Sequence, residues 1–117
     1  TTTLTYLNGL KLDYAAWKAS VYQAISQGRD LPNSAAEQKY QQWCGSGGYG
    51  AKHYGQLSSF QSIERPHRAF HAAAREALAA SRSQDTGKVT QALSFMEDQG
   101  QLVAQALERL QQDVLAG

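Results

Sequence analysis

The chain has 117 residues and a mass of 12.8 kDa, enough for one hydrophobic core and too little for two independently folded domains, so we expect one domain over residues 1–117. Eleven Lys and Arg against ten Asp and Glu give a formal net charge of +1, which offers no electrostatic case for nucleic acid or an anionic membrane surface. No apolar stretch reaches the roughly eighteen residues that predict a membrane span. One cysteine excludes an internal disulfide.

The first predicted helix runs from about Thr5 to Gln27. Its apolar positions recur at alternating intervals of three and four residues, as on one face of an α-helix. These positions are Leu7, Leu10, Tyr14, Trp17, Val21 and Ala24. Gly28 follows where a helix-terminating glycine is expected, and Pro32 lies in the segment that breaks the pattern.

A short second helix is predicted to end near Trp43. Ser34, with Glu37 three residues later, predicts a capping box at its start. Four glycines within residues 44–50 then predict a tight loop. The segment after this loop is expected to be a short irregular or helical connection, with His53 as a solvated surface residue and a spare candidate ligand.

A third helix is predicted from about Leu57 to Ser81. Pro66 lies inside its pattern, so we expect either a kink there or a new helix that starts at that proline. The positions of its apolar stripe are Phe60, Ile63, His67, Phe70, Ala74 and either Ala77 or Leu78. His67 is unusual on such a stripe, because the other members are apolar.

A fourth helix, capped by Asp85, is predicted to run to about Leu115. Its stripe consists of Val89, Leu93, Met96, Gly100, Val103, Leu107, Leu110 and Val114. Because Gly100 has no side chain, we expect a bulky group to approach it closely. Together the elements predict an all-α fold: an antiparallel four-helix bundle with a short extra helix and a Gly-rich loop.

A metal site is one interpretation of the cysteine and two of the three histidines. His67 and His71 are four residues apart on one predicted helix, so both imidazoles share a face, one turn apart. Alone, such a pair is more often a set of core histidines bonded to backbone or water. Cys44 is more often a small buried hydrophobic residue on its own. The three together suit zinc, because its borderline softness matches one thiolate and two imidazoles.

A catalytic Cys–His pair is the competing interpretation. It would require a third group to orient the base and a cleft for a substrate. Asp13 or Glu64 could supply the orienting carboxylate, but no local motif supports either residue. We therefore predict that the chain is not an enzyme.

Three segments, in their order and spacing, resemble the bacterial chemoreceptor zinc-binding (CZB) domain. Residues 12–18, LDYAAWK, resemble its Asp-His-x-x-Trp-Lys element. Residues 43–49, WCGSGGY, are similar to its Cys-x-x-Gly-x-Trp element, with Tyr49 in the Trp place. Residues 57–71 resemble its pattern ending in His-x-x-x-His, and a looser match continues to Leu110.

This resemblance implies a cytoplasmic sensory module, a four-helix bundle that holds one Zn²⁺ through three histidines and one cysteine. Such modules are attached to chemotaxis receptors or diguanylate cyclases, and some are homodimeric. Residue by residue, Cys44, His67 and His71 match three of the four ligands, whereas the family's first histidine falls on Tyr14. The implied partners are a zinc ion and an output signalling domain or the chemotaxis machinery. Zinc binding or oxidation of Cys44 would alter local order, which the output module reads.

Tyr14 leaves three arrangements open at the fourth ligand position. Zinc could keep three protein ligands plus water, Tyr14 could coordinate as phenolate, or tight metal binding could be lost. A phenol with an ordinary pKa near 10 is a poor ligand unless the ion lowers that pKa. We expect one of the first two, because both give the other three residues a reason to lie together. The alternative function is a metal-free helical dimerisation or docking module that keeps only the fold.

Overall fold

The computed structural model describes residues 2–117 and contains six α-helices in that range. They are α1 (Thr2–Gln27), α2 (Ala35–Cys44), α3 (Tyr49–Tyr54), α4 (Ser58–Gln61), α5 (Glu64–Arg82) and α6 (Thr86–Ala116). Residues 2–117 form no strand, so the predicted all-α helical bundle is confirmed. The α5 and α6 helices pair most extensively, and the 31-residue α6 spans most of the 49 Å long axis. None of these helices is both long and apolar enough to cross a membrane.

The predicted apolar stripes form the core. All six stripe positions on α1 are buried. On α6 the central positions Met96, Val103, Leu107 and Leu110 are buried, and the positions nearer its ends are partly exposed. The expected close approach at Gly100 is confirmed, since a Cβ there would lie 3.2 Å from Cε1 of Phe70 on α5.

The third predicted helix is divided into α4 and α5. The break falls at residues 62–63, and α5 begins at Glu64, so Pro66 lies in its first turn rather than at its first residue. A proline is tolerated there because the first backbone N–H groups of a helix have no intrahelical partner. The predicted break is therefore correct, but the new helix begins two residues before Pro66.

The second helix is capped by Ser34, as predicted. The Ser34 side chain accepts a hydrogen bond from the backbone N–H of Glu37 at 3.0 Å. No hydrogen bond in the described part of the chain runs from the Glu37 carboxylate back to Ser34, so the capping box is only half formed. An ion pair of 2.5 Å between Lys39 and Asp13 fastens α2 to α1.

Gly50→Ala is expected to lower the free energy of unfolding by about 1–3 kcal/mol. A Cβ at Gly50 would overlap the buried Trp43 ring, which stacks on Tyr6 with centroids 4.8 Å apart. Urea unfolding would measure the loss. Gly9→Ala is the control, because a Cβ there would meet only Lys39 Nζ, at 4.0 Å. Equal destabilisation by both variants would contradict this account.

Candidate metal centre

Two buried imidazoles lie side by side on α5. His67 is 4% exposed and His71 is 1% exposed, and their ring centroids are 4.6 Å apart. Tyr40 on α2 stacks on His67 at 3.9 Å, and Trp17 on α1 lies 4.6 Å from His71. The predicted shared face of the two histidines is confirmed, and aromatic rings from two other helices fix its position.

The hydrogen bonds of His71 define which ring nitrogen carries the proton. Its Nδ1 lies 3.0 Å from the carbonyl oxygen of His67. Because a carbonyl only accepts, Nδ1 is the donor, and Nε2 of the neutral ring carries the lone pair. The Ser34 hydroxyl donates to that lone pair at 2.9 Å. A protein group thus occupies the nitrogen that would face an ion.

His67 is held in a similar way from α1. Its Nδ1 forms a short hydrogen bond with the Tyr14 hydroxyl, and the two rings pack edge to face with centroids 5.8 Å apart. No described residue forms a hydrogen bond with its Nε2. Both histidines are therefore held through Nδ1. Proteins fix metal-binding imidazoles through a donating ring N–H of this kind, which His71 has, and the Tyr14 oxygen can accept such a bond from His67.

Burial sets the protonation of the candidate ligands. Burial, together with the neighbouring His71 and Arg68, lowers the pKa of His67 to about 3. It also lowers the pKa of His71. Both rings are therefore neutral at physiological pH, the form that binds metals. Burial raises the pKa of Cys44 to about 12, with the charge of Glu64 adding to the effect. Burial raises the pKa of Tyr14 as well, so its phenol stays protonated.

Cys44, His67 and His71 line one cavity of about 650 Å³ between α2 and α5. Tyr14 lies behind the His67 ring and lines a different cavity, of about 460 Å³, beside α6. The structure thus brings three of the four predicted ligands to one space. It connects the fourth to them through His67.

These residues fit zinc in kind but are not arranged around an ion. In residues 2–117, no group of three His, Cys, Asp or Glu side chains is placed to hold a metal. The donor set nevertheless suits Zn²⁺: two neutral imidazoles oriented through Nδ1, and a thiol in the same cavity. For zinc to bind, the Ser34–His71 hydrogen bond would have to break, and the Cys44, His67 and His71 side chains would have to turn toward a common point in the cavity.

Glu37 lines the cavity, although its place in the sequence predicted only a helix cap. Its Oε2 lies 3.9 Å from Nε2 of His71, and it lines the same cavity as Cys44. Its spacing in the sequence could have indicated this position. Glu37 and Cys44 are seven residues apart, about two helical turns, so they share a face of α2. His53, by contrast, is exposed as predicted, and its ring lies 4.1 Å from that of Tyr49, centroid to centroid, in a tilted arrangement.

The fold and the site define a class of protein: a small helical bundle with a buried imidazole pair beside a cysteine-lined cavity. Residues 15–78, more than half of the chain, match the family model of the chemoreceptor zinc-binding domain, so the chain belongs to this family. The resemblance seen in the sequence is thereby confirmed, and the family is one of zinc-binding sensory domains rather than of enzymes. Cys44, His67 and His71 lie inside the matched range, and Tyr14 immediately precedes it. No curated protein and no solved structure matches the chain.

Proposed function

We propose that the chain is a cytoplasmic zinc-sensing domain of a bacterial chemoreceptor or of a cyclic-dinucleotide signalling protein. In this proposal Cys44, His67 and His71 hold Zn²⁺ in the cavity between α2 and α5. One observation carries it: two buried, neutral imidazoles, both held through Nδ1, line the same cavity as the chain's one cysteine. When bound, zinc supplies a divalent charge that stabilises the Cys44 thiolate.

The chain's own residues would convert occupancy into a change of local order. Cys44 is the last residue of α2 and directly precedes the Gly-rich loop, whereas both histidines belong to α5. A ligand set drawn from both helices ties the end of α2 and the loop to α5. Without it, contacts such as the Ser34–His71 hydrogen bond and the Tyr40–His67 stack hold α2 in place. The attached output module would respond to that difference.

Tyr14 is proposed to orient His67. Its hydroxyl already contacts Nδ1 of His67, and its raised pKa disfavours the phenolate that direct coordination needs. Coordination by Tyr14 itself stays a prediction, and an unchanged zinc affinity of Tyr14→Phe would exclude it. Loss of a ligand would weaken zinc binding at least as much as the roughly 10–100-fold cost of losing an orienting partner.

Metal content tests the proposed site. After loading and dialysis, wild type is expected to retain about one zinc per chain, measured by elemental analysis, as structural zinc sites do. Cys44→Ala and His71→Ala are expected to retain far less. His53→Ala is the matched control, because that imidazole is exposed and outside the cavity. Equal zinc content in all four proteins would contradict the site.

The second candidate, a metal-free dimerisation or docking module, is favoured by exposed apolar side chains. Leu12 is 71% exposed on α1, and Phe95 and Leu102 are 50% and 47% exposed on α6. Light scattering in the presence of a chelator distinguishes the two candidates. A stable dimer that contains no metal would support the docking module.

A further inference from the structure

We infer that Glu37 supplies the fourth zinc ligand, beside Cys44, His67 and His71. This inference rests on the proposed zinc function and deepens it. The starting observation is that the Glu37 carboxylate faces His71 across the cavity, with Oε2 3.9 Å from Nε2. Nε2 is the nitrogen with the lone pair, because Nδ1 donates to the His67 carbonyl.

The separation of these two atoms is close to that of two ligands on one ion. Two atoms that each lie about 2 Å from a tetrahedral zinc are about 3.3 Å apart. At 3.9 Å the carboxylate is too far for a hydrogen bond to Nε2, and a small rotation of its side chain would close the difference. A carboxylate oxygen is, with imidazole and thiolate, a usual zinc ligand.

The position of Glu37 on α2 also suits this role. Glu37, Tyr40 and Cys44 lie on one face of the helix, and all three line the cavity. Tyr40 stacks on His67, which turns this face of α2 toward α5. Each helix would then contribute two ligands: Glu37 and Cys44 from α2, His67 and His71 from α5.

Glu37 is the better placed of the two glutamates in the cavity. Glu64 also lines it, but its carboxylate forms a 2.8 Å ion pair with Arg68, one turn along α5. Glu37 forms no ion pair with a lysine or arginine within the described residues. Its side chain is 44% exposed at the cavity mouth, while the His71 side chain that it faces is 2% exposed.

The ligand role is separable from the role of Glu37 in the fold. The cap of α2 uses only its backbone N–H, which donates to Ser34 at 3.0 Å. Glu37→Gln keeps that N–H and nearly the same shape, so α2 is expected to fold as before. Equal helicity and equal urea midpoints of the metal-free proteins would verify this condition.

The experiment compares Glu37→Gln with Glu64→Gln, which removes the same charge from the same cavity. Competition with a chromogenic chelator measures the zinc Kd. We expect Glu37→Gln to raise it at least about tenfold, and Glu64→Gln to change it by less than about threefold. In the cobalt-loaded proteins, the visible ligand-field bands should change with Glu37→Gln alone, and the thiolate charge-transfer band should persist in both.

The outcomes separate this inference from the function on which it rests. If Glu37→Gln binds zinc as wild type does while Cys44→Ala and His71→Ala lose it, the fourth ligand is not Glu37 and the site stands. Equal weakening by both glutamine variants would also overturn the inference, because a general charge effect would then explain it. If Cys44→Ala and His71→Ala also bind as wild type does, the proposed zinc function itself fails.

Discussion

In the Glu37→Gln background, which leaves the fourth ligand position open, adding Tyr14→His is expected to tighten zinc binding at least about tenfold over the same protein with Tyr14. The sequence resemblance places the family's first histidine at position 14, and this correspondence stays a prediction because the range matched by the family model begins at residue 15. The Tyr14 ring lies 5.8 Å from the His67 ring and 5.9 Å from the His71 ring, centroid to centroid. An imidazole there needs no deprotonation at neutral pH, whereas burial raises the pKa of the Tyr14 phenol.

The control for this gain is Tyr14→Phe in the same Glu37→Gln background, since it removes the hydroxyl without adding a ligand. Zinc Kd values for the three proteins should follow the order His, Tyr, Phe, from tightest to weakest, if the hydroxyl orients His67. An unchanged or weaker Kd for Tyr14→His, in a protein of wild-type helicity, would show that position 14 does not face the ion. The correspondence with the family pattern at this position would then be wrong.

The helix pattern predicted the core well but located the break in the third predicted helix only approximately, for a physical reason. Phe60, Ile63 and His67 keep helical spacing across the break between α4 and α5. Apolar periodicity records which side chains face the core, and that condition holds whether or not the backbone between them is continuous. Pro66 indicated that a break lies nearby. Proline has no backbone N–H, so it fits the first turn of α5, where that group would have no intrahelical partner.

Helices α1 and α5 are each followed by a residue with a left-handed backbone conformation, and only the first of these could be predicted from the sequence. Gly28, at φ +67°, ends α1, and the Arg29 N–H bonds to the Ala24 carbonyl at 2.9 Å. A glycine in that place is a strong signal. Gln84 ends α5 in the same way at φ +58°, although glutamine carries no such signal. Its conformation follows from the tight α5–α6 connection, which a local pattern does not contain.

In the candidate site, too, local contacts could be predicted from the sequence and contacts between helices could not. The spacing of His67 and His71 was local information, and it placed both rings on one face. The role of Glu37 depends on which face of α2 turns toward α5, and the stack of Tyr40 on His67 sets that orientation. The Ser34 bond to His71 likewise joins residues 37 positions apart. Neither contact follows from the sequence near either residue.

In the chelator-treated protein, Cys44 is expected to react with iodoacetamide about a hundred to a thousand times more slowly, near pH 7.5, than in urea. Burial, with the charge of Glu64, raises its pKa from 9.0 to about 12. Below both values, each pKa unit lowers the thiolate fraction about tenfold. Mass spectrometry of the alkylated cysteine over time measures both rates.

The pH dependence separates a raised pKa from simple steric protection of the thiol. The ratio of the two rates should be constant below about pH 9. Between about pH 9 and pH 12 the ratio of the unfolded rate to the folded rate should decrease. In this range Cys44 of the unfolded protein is already mostly thiolate, whereas the thiolate fraction of the folded protein still rises with pH. Steric protection alone would keep the ratio constant throughout. Glu64→Gln should speed only the folded reaction, since its charge raises the folded pKa.

A folded Cys44 that reacts as fast as the unfolded one at neutral pH would contradict this expectation. It would also favour an oxidant as the signal, because oxidation proceeds through the thiolate. The slow reaction expected here favours zinc instead. A protonated, half-buried thiol resists oxidants, and a divalent ion held beside the two neutral imidazoles would favour its thiolate form.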